Sequence, residues 1–429
     1  MSRFFNNKSL NLIIISSILF FLVVITSCYF YLHLNELISI SNYAFNELFI
    51  NYQAGLVRRG LLGEIFWQLN YLFSINPVNF FTYLLMIMYI LQIYLFYTLF
   101  ESFKKVYFIF ILIFLSPTLI LFTVYDPNLY YLKDIFIKLT ILYHAVLVLN
   151  YSSKITNNSD YNTKLKFVII PLLSVVILIH EYQVLFLSIH FLLSLSFVTK
   201  KNNFFKILKI YSILIIPILL SLFYIGDQSQ FNYLNLILEK FEVSIHPQLG
   251  GGLYKAVGGF YKWHFFYFSY EDFVNLISSI FLGILIFYLI FHYLINKKVL
   301  KVHSTYQIKY FYFFIPTLAC FILALDHGRN ISLIATHLVA FYAALLLDKR
   351  KFEKLKNEFN KNFIMIFFLL IFLFFYVFMW RLDQMAGFNL NNQENTIFKS
   401  SLFAEFIKFV KFSYNYIDIN IINLPEIRL

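Results

Sequence analysis

Residues 80–101 read FFTYLLMIMYILQIYLFYTLFE, a stretch in which the only ionised side chain is the final one, Glu101. About 20 residues of helix are enough to cross the hydrocarbon core of a bilayer. Comparable stretches recur along the chain, of which 60% is hydrophobic and 13% charged, with a mean hydropathy of +0.73. A soluble domain of this composition could not cover its surface with polar groups. The sequence therefore predicts an all-α integral membrane protein.

The apolar stretches predict about 11 transmembrane helices in a single polytopic domain over residues 1–429. They lie at roughly 11–33, 80–101, 106–124, 135–151, 167–181, 183–198, 207–225, 273–295, 310–326, 331–347 and 363–380. The first is too long for a signal-peptide core and lacks a small-residue cleavage pattern, so it is interpreted as a retained span. The fifth and sixth are short and form either two tilted spans or a hairpin broken near one interface.

Lysine and arginine predict the orientation, because cytoplasmic loops carry an excess of both. With a cytoplasmic N-terminus, the short inner segments hold more than half of the chain's 34 Lys and Arg residues. The sequence thus predicts an N-in, C-out topology with outer loops at about 34–79, 125–134 and 226–272. Re-entrant or interfacial helices are expected within these loops, and an amphipathic outer tail at about 382–429. Because the basic residues follow the inner loops, the net charge of +12 does not indicate a nucleic-acid partner.

The first outer loop contains NYQAGLVRRGLLGE at residues 51–64, with Arg58 and Arg59 set between glycines. Guanidinium groups bind phosphate oxygens bidentately and stay charged at any working pH. Glycine allows the backbone to approach a ligand closely. The pattern favours a phosphate site, and lipid headgroup contact is the alternative. Glu47 lies in the same loop and is a candidate catalytic carboxylate.

Two further outer segments carry ionisable side chains next to apolar stretches. Lys133 and Asp134 are candidate substrate-binding residues. Asp134 would also share a helix face with Lys138, so the alternative is that the two form a structural ion pair. His180 and Glu181 are the residue types that most often act as general bases. Adjacent helical residues point about 100° apart, so these two need not face the same ligand.

The tight connector Asp326-His327-Gly328-Arg329-Asn330 holds more ionisable groups than a turn requires. Asp326 is a candidate base, and His327 and Arg329 are candidate substrate-binding residues. The alternative is an Asp326–Arg329 salt bridge that locks the turn. Neither a metal-ligand pattern nor a cofactor motif is identified in the sequence, so no metal ligands are assigned. A divalent cation remains compatible with the chemistry.

This arrangement resembles the bacterial multi-spanning glycosyltransferases that use polyprenyl-linked sugars, namely the GT-C superfamily and the Wzy-type polymerases of O-antigen and capsule units. The resemblance is one of topology over the whole chain. GT-C members usually carry an acidic motif in the first outer loop, where this chain has Glu36 and Glu47 but no adjacent acidic pair. The resemblance implies a polyprenyl-linked saccharide as substrate and a reaction on the periplasmic face of the bacterial inner membrane. Polysaccharide-assembly proteins would be further partners, beside the lipid bilayer itself.

The resemblance also implies roles for the candidate residues in cell-surface glycan synthesis. Arg58, Arg59 and Arg329 would hold the phosphate of the donor and stabilise its developing charge. The acceptor proton would pass to one of the candidate bases, which are Glu181, His180, Asp326 and Glu47.

The competing hypothesis is a transporter or flippase of lipid-linked oligosaccharide. Such a protein should carry polar residues deep in several spans, because they would line an aqueous path. The sequence offers four candidates of this kind, at Lys138, His144, His190 and His337.

Overall fold

The computed structural model describes residues 15–24, 26–27, 43–101, 107–125, 131–153, 158–197, 202–224, 226–244, 276–296, 317, 327–344, 371–372 and 376. Over these ranges the chain forms helices and turns and no strand, which confirms the predicted all-α class. The helices are α1 Ile15–Val24, α2 Tyr43–Glu47, α3 Leu61–Phe73, α4 Pro77–Phe100, α5 Tyr107–Phe114, α6 Phe122–Tyr125, α7 Asp134–Ser153, α8 Asn158–Lys164, α9 Ile170–Ile179, α10 Gln183–Phe197, α11 Asn202–Tyr211, α12 Ile215–Phe223, α13 Gln228–Lys240, α14 Ile286–Asn296 and α15 His327–Ala344.

At two places where one helix follows another, the chain changes its helical pitch beside a proline. A π-helical turn at Leu165–Ile169 joins α8 to α9, and Pro171 is the second residue of α9. A 3₁₀ turn at Ser212–Leu214 joins α11 to α12, which contains Pro217. Proline lacks the amide hydrogen of a regular helix and its ring crowds the preceding turn. The chain adjusts its pitch at both places and continues as a helix.

Five helical segments in the described part of the chain are long and apolar enough to cross a membrane. They are Pro77–Phe100, Asp134–Tyr151, Asp160–Ile179, Phe204–Phe223 and Leu276–Tyr293. On α4 the exposed side chains Tyr83, Ile87, Leu91 and Tyr94 recur every three or four residues, so they form one apolar stripe on its outward face. The stripe suits contact with lipid. The predicted spans at 310–326 and 363–380, apart from single residues, and the predicted tail at 382–429 lie outside the described residues.

The predicted span at 106–124 is not one continuous helix. Helix α5 ends at Phe114, and the chain turns before α6 begins at Phe122. Pro117 cannot donate a backbone hydrogen bond, and the Ser116 hydroxyl accepts one from the amide of Thr118 at 3.2 Å. This local bond replaces the helical one and ends the helix. The hydrophobic pattern does not reveal the break, because the residues around it are also apolar.

Helix α7 lies at the centre of the described helices, where it packs against α4 and α15 and also touches α9 and α10. It is the most buried of the five membrane-length segments. Helix α9 ends at Ile179. The next residue, His180, has an extended backbone with φ −155° and ψ 109°, and α10 begins at Gln183. The start of α7, the α9–α10 turn and the start of α15 meet at one end of these helices, because Asp134, His180 and Arg329 are in contact.

Candidate functional site

A cluster of charged side chains occupies this meeting point. We call it the arginine–carboxylate cluster, and its members are Glu47, Arg58, Arg59, Lys133, Asp134, His180, Glu181 and Arg329. The side chain of Arg59 is 13% exposed, and every other member is at most a tenth exposed. Charged groups are rarely buried to this extent unless they are paired. The structure thus brings together most of the site residues that the sequence predicts.

Arg59 joins the two glutamates of the cluster. Its Nε donates to the Glu181 carboxylate oxygens at 3.0 and 2.7 Å, and its Nη1 donates to Oε1 of Glu47 at 2.5 Å. The hydroxyl of Tyr43, one helical turn before Glu47, donates to the same oxygen at 2.7 Å. Charge-assisted bonds of this kind are roughly twice as strong as neutral ones. The guanidinium therefore fixes the positions of both carboxylates.

The backbone of Arg59 has a left-handed conformation, with φ +62°. Side chains other than glycine and asparagine rarely adopt it, because Cβ crowds the backbone. The Nζ of Lys133 donates to the carbonyl oxygen of Arg59 at 3.0 Å. Strained conformations of this kind persist where surrounding contacts hold them, and they concentrate at functional sites.

The loop that carries Arg58 and Arg59 is anchored from both sides. The Glu64 carboxylate, in the first turn of α3, accepts the Tyr52 amide at 3.0 Å. The amide of Arg58 donates to the carbonyl of Tyr224 at 2.8 Å. Gln230, which completes a capping box with Asp227 at the start of α13, donates to the carbonyl of Leu56 at 3.3 Å. Contacts with α3 and with the segment around α13 thus set the loop geometry.

Asp134, His180 and Arg329 form the second half of the cluster. Arg329 donates through Nε to Oδ2 of Asp134 at 2.5 Å and through Nη2 to Oδ1 at 2.7 Å. The Nε2 atom of His180 lies 3.2 Å from Oδ1 of Asp134 and also contacts Nη2 of Arg329. The ring of Tyr182 lies 5.3 Å from the Arg329 guanidinium carbon, as in a cation–π contact. Three separate helix ends are held together here.

The α9–α10 turn connects the two halves. On a continuous helix His180 and Glu181 would point about 100° apart. Because His180 is extended, its Nδ1 lies 3.7 Å from Oε2 of Glu181 while its Nε2 reaches Asp134. Nη1 of Arg58 lies 3.9 Å from Oε1 of Glu181. All eight members thus belong to one network.

The surroundings shift the pKa values of cluster members that lie outside the membrane-length helices. Burial by itself raises the pKa of Glu181, but the Arg59 guanidinium outweighs burial and holds that pKa well below its usual range. The same balance, with Arg59 and Lys133 as the cations, lowers the pKa of Glu47. Burial lowers the pKa of Lys133 to about 8, against the opposing attraction of Glu47. Both glutamates are therefore ionised at neutral pH.

The charges within the cluster do not cancel. Its cations are Arg58, Arg59, Lys133 and Arg329, and its carboxylates are Glu47, Asp134 and Glu181. One positive charge is left over when His180 is neutral. An excess charge in a buried site is costly, and an anion bound there would compensate it. Phosphate suits the site, since guanidinium groups bind its oxygens in pairs.

Some predicted site residues lie elsewhere. Asp326 and Glu36 are outside the described residues, and His327 is buried at the start of α15, two residues before the Arg329 that makes the contacts above. Lys138 does not pair with Asp134 on its own helix face. Its Nζ donates to the Ser332 hydroxyl of α15 at 2.8 Å, because Arg329 and His180 already occupy the Asp134 carboxylate.

Sequence reasoning missed Tyr43, which binds Glu47. The available signal was the four-residue spacing between them, which places both on one helix face. Because the chain has 33 tyrosines, one tyrosine at this spacing is weak evidence without the structure.

Among the described residues, no group of three or more His, Cys, Asp or Glu side chains is arranged to hold a metal ion. No family model, no curated protein and no solved structure matches the chain. The described residues define an all-helical protein with membrane-length helices and a buried network of ion pairs at one end of them.

Proposed function

We propose that the chain is a multi-pass glycosyltransferase or polysaccharide polymerase of a bacterial inner membrane. It transfers a saccharide from polyprenyl phosphate or diphosphate to a sugar acceptor during cell-surface glycan synthesis. The observation that carries the proposal is the convergence of three arginines and three carboxylates from four chain segments on one buried cluster. In the proposed topology the chain has 11 spans with N-in and C-out, and the lysine-poor end that holds the cluster faces the periplasm.

The arginines supply the positive charge that stabilises a phosphate leaving group. When the sugar–phosphate bond breaks, negative charge grows on the phosphate oxygens, and fixed guanidinium groups stabilise it without reorganisation. Arg58 and Arg59 are held by the loop before α3, and Arg329 is held by Asp134. Their positions are set before the donor binds, which is the arrangement that lowers a reaction barrier.

The carboxylates supply the base for the acceptor hydroxyl. Glu181 and Glu47 are poor bases while Arg59 binds them, because the ion pairs depress their pKa values. In the proposed mechanism the donor phosphate binds beside the Arg59 guanidinium, which stays in place, and competes with the carboxylates for its hydrogen bonds. The pKa of the released carboxylate then rises, and this carboxylate takes the acceptor proton. Glu181 is preferred to Glu47, because Arg59 lowers the pKa of Glu181 further and its pKa therefore rises more when that ion pair weakens. His180 lies within 3.7 Å of Glu181 and is the alternative base.

The test uses the purified full-length chain with a polyprenyl-diphosphate saccharide and a sugar acceptor. We expect Arg59→Ala and Glu181→Gln to lose product formation by about a hundredfold or more, as for removal of a preorganised donor. Glu239→Gln is the matched control, since Glu239 is exposed on α13. In cells, Arg59→Ala should accumulate lipid-linked repeat units. Normal polymer from that variant, while Glu239→Gln is also normal, would refute the proposal.

A flippase of lipid-linked oligosaccharide is the second candidate, and one observation favours it. Polar side chains deep in α7, α10 and α15 contact one another: Lys138 binds Ser332 at 2.8 Å, and His144 binds His190 at 3.0 Å. A proteoliposome assay with a labelled lipid-linked saccharide separates the two. Translocation of an unchanged molecule supports the flippase, and a new glycosidic bond supports the transferase.

A further inference from the structure

Gln183, the first residue of α10, is a buried polar side chain that the proposed mechanism does not use. It is fully buried, and neither the oxygen nor the nitrogen of its side-chain amide has a hydrogen-bond partner among the described residues. Its backbone amide is engaged separately, since it donates to the carbonyl of His180 at 3.2 Å. A buried amide without partners costs stability, and a ligand that hydrogen-bonds to it is one explanation for its presence.

The helix face that carries Gln183 is turned toward α7 and α15. Gln183, Phe186 and His190 are spaced three and four residues apart, so they lie on one face of α10. The ring of Phe186 stacks on His337 of α15, with 4.1 Å between the ring centroids. The ring of His190 stacks on His144 of α7, with centroids 5.2 Å apart. The Gln183 side chain therefore lies at the seam between α7 and α15, one turn nearer to the start of α10 than Phe186.

The arginine–carboxylate cluster lies at the same end of this seam. Helix α7 begins at Asp134 and α15 holds Arg329 in its first turn, and Nη2 of Arg329 donates to Oδ1 of Asp134 at 2.7 Å. Gln183 follows Glu181 by two residues, so their Cα atoms are at most about 7 Å apart. The unpartnered amide is therefore a neighbour of the cluster.

Three helices begin at the cluster and run away from it. Helix α7 begins at Asp134, α10 begins three residues after His180, and α15 begins two residues before Arg329. Each helix N-terminus carries a partial positive charge of roughly half an elementary charge. These ends add to the excess positive charge of the cluster, so the position favours the phosphate of the proposed donor. The sugar joined to that phosphate is then placed next to Gln183.

The chemistry of the side-chain amide selects the group that it would bind. Its carbonyl oxygen accepts a hydrogen bond and its nitrogen donates one on the same side of the group. Two adjacent hydroxyls of a sugar ring match this arrangement, because one can donate to the oxygen while the other accepts from the nitrogen. An N-acetyl group matches it less well, since a trans amide presents its N–H and its carbonyl on opposite sides.

We propose that Gln183 recognises the sugar next to the donor phosphate through a pair of adjacent hydroxyl groups. The inference rests on the proposed function, since it takes the ligand to be a polyprenyl-linked saccharide. Gln183 is a specificity-determining residue in this role, and it takes no part in proton transfer. A sugar that lacks either hydroxyl leaves one atom of the amide buried without a partner, so the site rejects it.

A structural glutamine and a ligand-binding glutamine differ in their effect on stability. Methionine has nearly the size and shape of glutamine and needs no hydrogen bonds. Gln183→Met loses no side-chain hydrogen bond to the described residues, so its thermal unfolding temperature should not fall below that of the wild type. A glutamine that holds the fold together through hydrogen bonds would lose stability on the same replacement.

The test measures equilibrium binding of polyprenyl-diphosphate glucose, galactose and mannose to the full-length protein in detergent. The sugar that binds most tightly is then compared with each of its monodeoxy forms. For the wild type we expect two adjacent hydroxyls to matter, with affinity reduced about tenfold or more when either is missing. Gln183→Met should bind the intact sugar about tenfold or more weakly, and it should bind those two deoxy forms as well as the intact sugar.

Gln228→Met is the matched control, because Gln228 is an exposed glutamine of α13. It should keep the wild-type preference. Equal wild-type affinities for the intact sugar and all its monodeoxy forms would overturn the inference, as would an unfolding temperature of Gln183→Met well below that of the wild type.

Binding requires no glycosyl transfer, so the two proposals can fail separately. A wild type that shows the hydroxyl preference but forms no glycosidic bond supports the role of Gln183 and refutes the transferase. A wild type that forms product without the preference refutes the role of Gln183 alone.

Discussion

The guanidinium of Arg59 donates to both carboxylate oxygens of Glu181, although 122 residues separate them in the chain. The pair ties the loop before α3 to the turn between α9 and α10. Because Arg59 also binds Glu47, one side chain holds two buried carboxylates. The stability and the chemistry of the cluster therefore depend on the same residue.

Replacement of Arg59 should destabilise the fold as well as the site. In Arg59→Ala two buried carboxylates lose their cation, and we expect the free energy of unfolding to fall by about 3–5 kcal/mol. Thermal unfolding in detergent would measure it. Lys209→Ala, which removes an exposed cation from α11, should change it by less than about 0.5 kcal/mol. Equal effects of the two substitutions would contradict the assignment of Arg59 as the central cation.

The pair of Asp134 and Arg329 lends itself to a double-mutant cycle. Asp134→Leu alone leaves Arg329 buried without its carboxylate, so we expect a loss of about 3–5 kcal/mol. The double variant Asp134→Leu/Arg329→Leu should lose less than the sum of the two single variants, because neither charge remains unpaired. Denaturant unfolding of the four proteins gives the coupling energy. Strict additivity would show that the 2.5 Å contact has no energetic role.

The buried side chain of Lys133 should make donor binding depend on pH in the alkaline range. Burial lowers its pKa to about 8, so its charge is present at pH 7 and is lost as the pH rises through about 8. Affinity for the anionic donor should fall over this interval, which a pH profile of KM would detect. Lys133→Arg keeps the charge and should remove this alkaline limb. A wild-type KM that stays constant from pH 7 to pH 9 would be incompatible with the prediction.

Lys133 should also make the stability of the fold depend on pH, but in the opposite direction to donor affinity. The unfolded chain keeps the Lys133 proton up to its ordinary pKa of 10.5, whereas the folded state releases it near 8. Between these values the unfolded state binds more protons, so the free energy of unfolding contributed by Lys133 should rise with pH. The difference between wild type and Lys133→Met across this range isolates the contribution.

Gly63 should tolerate no side chain. A Cβ at this position would overlap the backbone carbonyl of Ile50, which has little freedom to move because Glu64 binds the neighbouring Tyr52 amide. We expect Gly63→Ala to lose about 1–3 kcal/mol despite the better helix propensity of alanine. Gln68→Ala, at an exposed position of the same helix, is the control. Unchanged stability of Gly63→Ala would show that the loop before α3 can shift.

The members of the arginine–carboxylate cluster could be predicted from the sequence, but the contacts between them could not. Seven of its eight members stood out because they are charged residues in or beside apolar stretches, and Glu47 stood out as an acid in the first outer loop. Their partners did not follow from sequence. Asp134 and Lys138 have the spacing of a helical pair, yet Asp134 binds Arg329 and His180, while Lys138 binds Ser332. The spacing of two residues along a helix shows which contact they can form. Competition from partners that are distant in the sequence decides which contact does form.

Hydrophobic periodicity by itself determined that this chain is helical and that several of its helices have membrane length, because apolar content and segment length depend only on local residue order. The break at Ser116-Pro117 and the extended backbone at His180 required the structure, since both depend on hydrogen bonds that compete with the helix. The hydrogen bonds of His144, Tyr161 and Ser194 likewise join four helices whose order in the chain gives no sign of their contact. Only tertiary packing decides which buried polar groups meet, because each must find a partner wherever the fold places it.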